Sequence, residues 1–436
     1  MAIDLSKYKN AIHNLTPVSY LGKISQIIGL TIESIGPQVS MGEICKIKGS
    51  DGQEINAEVV GFKNSKVLLM PLGEMNGVGL GQEIIATGET LAVNVGNALQ
   101  GRTLNGLGEP IDGLGPLMSE KQYPVQREAP DPLKRNRIKQ PLKLGVRTID
   151  GLLTIGKGQR VGIFAGSGVG KSTLMGMIAR NTSADVNVIA LIGERGREVR
   201  EFIEKDLGEE GLKHSVVVVA TSDQPALVRI KAAYLATAVA EYFRDEGNDV
   251  MLMMDSLTRF SMAQREVGLA TGEPPVSRGY TPSVFAQLPK LLERAGNSDK
   301  GSITGLYTVL VDGDDLTEPI TDAARGILDG HIVLSRKIAN KNHYPAIDVL
   351  ASISRVMSDV TTPEHRECAG EIKRLMAVYK ESEDLINIGA YVKGSNEEID
   401  LAVAKNKAIN TFLQQKVTEN ISPEDTFEAM KMIVQS

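Results

Sequence analysis

The spacing of apolar and polar positions changes character along the chain, and each change marks a different kind of element. From Leu21 to Ala86, short β-rich runs at 22–28, 44–48, 55–62 and 67–70 are broken by turn residues at 49–52 and 63–65. Short strands at this spacing predict a small closed barrel. Ahead of it, Leu5, Tyr8, Ile12 and Leu15 fall close to helical spacing, the pattern of a short amphipathic helix, although a frayed terminus fits the same residues. After the barrel, glycine and proline crowd 106–116, and Pro124, Pro130, Pro132 and Pro141 follow, which reads as a linker or extended loop.

From Arg160 the texture becomes β/α alternation. Five near-continuous apolar runs, at 161–164, 186–192, 215–220, 250–254 and 303–311, are expected to be strands buried on both faces of a parallel sheet. Ser222-Asp-Gln-Pro225 opens a helix from Ala226 to about Arg244, with a capping side chain followed by proline in the first turn. Beyond Ser358 the strand pattern stops and 363–436 reads as polar, charged helices. The predicted organisation is an N-terminal segment 1–20 that binds a partner, a barrel 21–92, an α/β nucleotide domain 93–358 and a helical domain 359–436.

Composition narrows the class. With 48 Lys+Arg against 54 Asp+Glu the 436-residue chain carries a formal charge of −6, which argues against wholesale nucleic-acid binding. No apolar run approaches the roughly 18 residues that a membrane-spanning helix needs, and the start of the chain lacks the basic and apolar regions of a signal peptide. The cysteines are Cys45 and Cys368, far apart in sequence, and read as reduced thiols of a cytoplasmic protein.

Three motifs carry chemistry. Residues 165–173 follow a predicted strand and open a predicted helix, and their Gly-Lys-Ser ending is the phosphate-binding P-loop pattern with Ala165 in place of the first glycine. Backbone N–H groups of Gly166, Ser167, Gly168, Val169 and Gly170 can wrap phosphate oxygens of ATP at a helix N-terminus, with Thr173 just inside that helix. Lys171 can reach the β and γ oxygens, and Ser172 can ligate Mg²⁺. The alternative is a glycine-rich strand-helix turn without a ligand. Asp255 closes an apolar strand, the usual place for a carboxylate on the metal side of a P-loop. In Ile192-Gly-Glu-Arg-Gly-Arg-Glu-Val199, Glu194 is the candidate base that orients water and Glu198 a second acid near Mg²⁺; a solvated charge cluster capping a helix is the competing reading.

Taken together, 165–172, Gly193-Glu-Arg-Gly-Arg-Glu198, Asp255-Ser-Leu-Thr-Arg-Phe260, 277–285 and 322–336 resemble the type III protein-export ATPases, relatives of the F-type ATP synthase catalytic subunit. Stretches 29–37 and 104–113 resemble the flagellar branch more than the virulence-secretion branch. The resemblance implies an N-terminal β-barrel, a RecA-like α/β domain and a C-terminal helical domain, assembled as a homohexamer with ATP and Mg²⁺ at each interface. It also implies that Tyr344 stacks on adenine, that Arg355 reaches the γ-phosphate of a neighbouring subunit, and that Arg195 and Arg259 lie close to the γ-phosphate and the catalytic glutamate. Implied partners are a stator-like negative regulator at the N-terminal segment, a central stalk protein at the C-terminal domain, cargo-chaperone complexes and an export gate, with docking at the inner face of the cytoplasmic membrane.

Three rival readings have discriminating features. A non-catalytic ring subunit of the same fold would lack the glutamate found here as Glu194. A RecA-like RNA helicase would show basic residues interleaved with exposed aromatics on its barrel, whereas Phe62 is the sole aromatic between Leu21 and Ala86. A rotary ATP synthase subunit is separated by resemblance more than by physics.

Overall fold

A computed structural model of the chain describes residues 21–50, 52–311, 315 and 317–435. The candidate helix at 5–15, with the rest of segment 1–20, lies outside the described residues. Six short strands form the first unit: β1 (Leu21–Ile28), β2 (Thr31–Ile35), β3 (Glu43–Lys48), β4 (Glu54–Lys63), β5 (Lys66–Pro71) and β6 (Glu83–Thr90). They close in the order β1-β2-β5-β4-β3-β6, every neighbour antiparallel, with β6 returning to β1. The period-two pattern of β3 explains the closure, since Cys45 and Ile47 face inward while Lys46 and Lys48 face out. The inward set packs with Ile24, Ile32, Leu69 and Ile84. Burial pushes the Cys45 thiol up to about 12, which keeps it an unreactive member of that core.

The second unit begins at Ala92. Its strands are β7 (Ala92–Val95), β8 (Thr103–Asn105), β9 (Lys121–Pro124), β10 (Arg160–Ala165), β11 (Val186–Ile192), β12 (Ser215–Ala220), β13 (Asp249–Asp255), β14 (Gly296–Asn297), β15 (Ser302–Leu310), β16 (Gly330–Leu334) and β17 (Ile347–Ser354). The main sheet runs β17-β16-β10-β15-β13-β11-β12-β8, with β14 attached to β15. From β16 through β8 the strands on this path are parallel, while β17 runs antiparallel to β16. The five apolar runs are β10, β11, β12, β13 and β15, almost wholly buried because helices cover both faces. The predicted helix spans Ala226–Asp245.

The stretch 106–116, expected to be a linker, is packed where it begins. β8 pairs with β12 at the sheet edge, and a Cβ on Gly106 would sit 2.9 Å from Val228 of the long helix. Glycine here permits a close approach to a helix, which composition alone cannot distinguish from loop freedom. The helices Pro363–Asn387, Glu397–Leu413 and Pro423–Gln435 form the C-terminal layer. They share one core with the sheet through the short helix Arg147–Leu152, where a Cβ on Gly151 would meet Met430, Phe412 and Thr426 within 3.1 Å. Among the described residues, no helix is long and apolar enough to cross a membrane.

Candidate nucleotide site

Parallel register brings the motifs to one edge. Ala165 is level with Leu310 and Leu334, Leu191 with Asp255, and Ile192 with Ala220, so the P-loop, Glu194 and Asp255 all sit at the carboxyl ends of neighbouring strands. That is where an open α/β sheet presents ligand-binding loops. Gly168 and Gly170 hold φ of 75° and 90°, a left-handed backbone that turns the loop into the helix Lys171–Asn181 without a Cβ penalty. Beside Gly166 lies a cavity of about 210 Å³ whose walls include Phe164, Val311, Leu334 and Asp348.

Lys171 is the electrostatic centre of this edge. Its ammonium hydrogen-bonds Asp255 Oδ1 and lies 3.7 Å from Glu194 Oε1. Asp255 is 4 % exposed, and its Oδ1 also accepts from Thr308 Oγ1 at 2.6 Å. Glu194 is pushed up to about 7, chiefly by burial and then by the neighbouring Asp255 charge, with Lys171 opposing both. Glu198 moves the other way, held low by a hydrogen bond from Glu194 and by Arg195, whose guanidinium is 3.2 Å from it. The two neighbouring carboxyls are thus displaced in opposite directions, Glu194 holding its proton more tightly than Glu198.

The other sequence-predicted residues separate into near and far. Ser172 and Thr173 follow Lys171 in the first turn of the P-loop helix, with the Ser172 side chain exposed. Tyr344 packs against the P-loop, its ring edge 3.6 Å from where a Gly170 Cβ would stand, and it is 42 % exposed. Arg259 lies across Gly193, and its Nε is buried without a hydrogen-bond partner. Arg195 is exposed. Arg355 is not in this group. Antiparallel β17 starts level with Leu334 and ends with Ser354 level with Gly330, so Arg355 lies about 13 Å along the strands from the P-loop edge. There its backbone N–H donates to Asp329 and its guanidinium to the Arg325 carbonyl at 3.4 Å.

Two residues were missed by the sequence reading. Thr308, which anchors Asp255, left no distinct signal, since Ser302, Thr304 and Tyr307 of the same strand also carry hydroxyls. Arg336 donates to the Ser167 carbonyl at 3.3 Å; it closes a quoted motif but had no assigned role. The residues expected to hold a cation, Ser172, Asp255 and Glu198, offer hard oxygen donors, a chemistry that suits Mg²⁺. Among the described residues no cluster of three or more His, Cys, Asp or Glu forms a ready cation cage. A divalent ion here would therefore complete its shell with phosphate oxygens and water.

Family models agree with each layer of this architecture. The ATP synthase alpha/beta family beta-barrel domain matches residues 24–88, its nucleotide-binding domain residues 145–354, and the T3SS EscN ATPase C-terminal domain residues 361–432. The chain is 59% identical to the flagellum-specific ATP synthase of Bacillus subtilis over 413 residues, 94% of both chains. It belongs to the family of flagellar and type III secretion ATPases. The type 3 secretion system ATPase of Xanthomonas euvesicatoria is 54% identical, covering 94% of this chain and 93% of its own. The assembled ATPase EscN of enteropathogenic E. coli superimposes with a TM-score of 0.90 at 50% identity, over 95% of this chain and all of that one. As a member of this family the chain is an ATP-binding ATP hydrolase.

Proposed function

We propose that this ATPase works as a homohexamer that hydrolyses ATP-Mg²⁺ at interfaces completed by the neighbouring subunit, and that hydrolysis energises export of flagellar proteins through a type III apparatus. The observation that carries the reading is Lys171 held between Asp255 and Glu194 on the P-loop. An ammonium already paired with carboxylates can exchange one of them for a γ-phosphate oxygen without being newly desolvated. P-loop N–H groups then cradle the phosphates, and Tyr344 stacks on the base. Ser172, Asp255 and Glu198 would hold the Mg²⁺, which supplies charge neutralisation at the β and γ oxygens. Glu194, once its proton has left, accepts a hydrogen bond from the attacking water and orients it. Arg259 and Arg195 flank that glutamate.

Arg355 acts in trans on this reading. Its position at the opposite edge of the sheet, hydrogen-bonded to Arg325, leaves it far from its own P-loop and supports service to a neighbour's. Similar fingers contribute on the order of 10³–10⁵ in rate. The assembled state of EscN supports a ring here, and the complex of EscN with its central stalk EscO supports a stalk partner, for which the C-terminal domain is the proposed contact. Relatives named flagellum-specific ATP synthase support flagellar cargo. A stator-like regulator, cargo-chaperone complexes and docking to an export gate at the membrane complete the proposal.

The test mixes two inactive variants. Lys171→Ala subunits retain the finger and Arg355→Ala subunits retain the P-loop, so mixed rings contain some interfaces with both intact. Each variant alone is expected to be inactive and the mixture partly active, with specific activity rising with protein concentration. A monomer, verified by light scattering, that turns over at the full rate would overturn the trans assignment. Stimulation by RNA would favour the helicase reading instead.

A further inference from the structure

The loop after helix Glu397–Leu413 meets three parts of the nucleotide unit at once. Its Val417 carbonyl accepts from Arg180 at 3.1 Å and its Glu419 carbonyl from Asn181 at 3.4 Å, both at the far end of the P-loop helix. Lys143 reaches Asn420 at 2.9 Å, and Arg147 lies 3.6 Å from Glu419 with its guanidinium over Phe412. At the centre is Gln415, 6 % exposed, with both ends of its amide engaged. Nε2 donates to the carbonyls of Gly145 at 2.9 Å and Glu419 at 3.0 Å, and Oε1 accepts from the Arg147 backbone at 2.8 Å. The Gln415 backbone N–H, fixed by those three bonds, donates to the carbonyl of Tyr344 at 3.1 Å.

That last bond joins the C-terminal helices to Tyr344, whose ring packs on the P-loop at Gly170. Elsewhere the backbone of the loop 341–346 is tied to its own neighbourhood, Ser335 donating to the Ala346 carbonyl and His343 to that of Ile338, and its other link to the helical layer is the exposed ion pair of Lys341 with Glu383 at 3.2 Å. The Tyr344 backbone is thus gripped from the helical layer, while its half-exposed ring is free to meet a base. We propose that Gln415 is a positioning residue for base recognition: by fixing the Tyr344 backbone it makes affinity for the nucleotide base depend on how the C-terminal helices dock. The inference rests on Tyr344 as the base-stacking residue. Loss of the Gln415 amide bonds would then change base affinity more than phosphate affinity, because the P-loop helix keeps its own ties to this loop through Arg180 and Asn181.

The test compares Mg-ATP with Mg-tripolyphosphate, which offers the same phosphates without a base, on the full chain. Stacking worth roughly 0.5–1.5 kcal/mol corresponds to about a 2–12-fold change in Kd. Gln415→Ala is expected to weaken ATP by that factor, to raise KM with kcat at saturation retained, and to leave tripolyphosphate within about twofold. In a Tyr344→Ala background the same change should have no further effect on ATP, because its route to the base is already gone. Gln415→Met keeps the volume while removing the three amide bonds, and replaces the alanine variant if that one fails to fold. Equal weakening of both ligands, or the same loss of ATP affinity with and without Tyr344, overturns the proposal. If Tyr344→Ala leaves the ratio of ATP to tripolyphosphate affinity unchanged, the stacking role itself fails; if Tyr344→Ala lowers it and Gln415→Ala does not, only the Gln415 role fails.

Discussion

Replacing Glu194 by glutamine separates its two consequences, one for catalysis and one for stability. A general base contributes about 10²–10⁴ in rate, so kcat should fall by that factor, about 3–5 kcal/mol in the barrier, while Kd for Mg-ATP stays within about twofold. The second consequence follows from its proton. The Glu194 carboxyl is pushed from an ordinary 4.5 to about 7, so the folded protein holds this proton more tightly than the unfolded chain. The stabilisation it contributes is complete below pH 4.5 and is lost as pH rises through 7. For Glu194 alone the shift corresponds to at most about 3 kcal/mol. Glu198 is displaced in the opposite direction and both side chains touch water, so the pair should show a net of about 1–2 kcal/mol. Glutamine cannot ionise, so Glu194→Gln should raise the thermal midpoint at pH 8 relative to wild type and flatten its fall between about pH 5 and 8. Equilibrium nucleotide titration, single-turnover hydrolysis and thermal unfolding against pH measure all three. A joint collapse of binding and kcat, an unaltered kcat, or a pH dependence of stability identical to wild type would refute the argument.

Lys171→Ala should abolish turnover with far-ultraviolet circular dichroism retained, since the P-loop backbone survives while the phosphates and the buried Asp255 lose their cation; wild-type turnover would sink the assignment. Glu241→Ala should destabilise the nucleotide unit by about 3–5 kcal/mol in thermal unfolding, because it strands a buried guanidinium. Arg294, 1 % exposed, donates twice to Glu241 at 2.8 Å and once to the Val125 carbonyl. A loss below about 1 kcal/mol would show that water reaches the pair.

Much of the molecule was legible one segment at a time. The five core strands announce themselves because a strand covered on both faces must be apolar throughout, and the P-loop because its glycines and lysine answer to phosphate geometry within nine residues. The barrel follows from short period-two runs such as β3. Asp255 and Glu194 could be placed because parallel strands align their carboxyl ends, so a residue's position at the end of its own strand already tells which edge it occupies.

Tertiary structure decided what depends on direction and on distant partners. β16 was hidden inside the motif 322–336 and β17 left no strand signal, since half-buried strands lack the continuous apolar run, and only their antiparallel pairing carries Arg355 to the edge opposite its own P-loop. The packing of Gly106 against Val228, the bond from Thr308 to Asp255 and the grip of Gln415 on Tyr344 join residues 122, 53 and 71 positions apart respectively. A glycine, a threonine or a glutamine looks the same in sequence whether it faces water or a distant carbonyl. Local pattern determines which elements form and which edge carries the phosphate chemistry; the order and direction of strands determine which side chains meet there, and which face a neighbour instead.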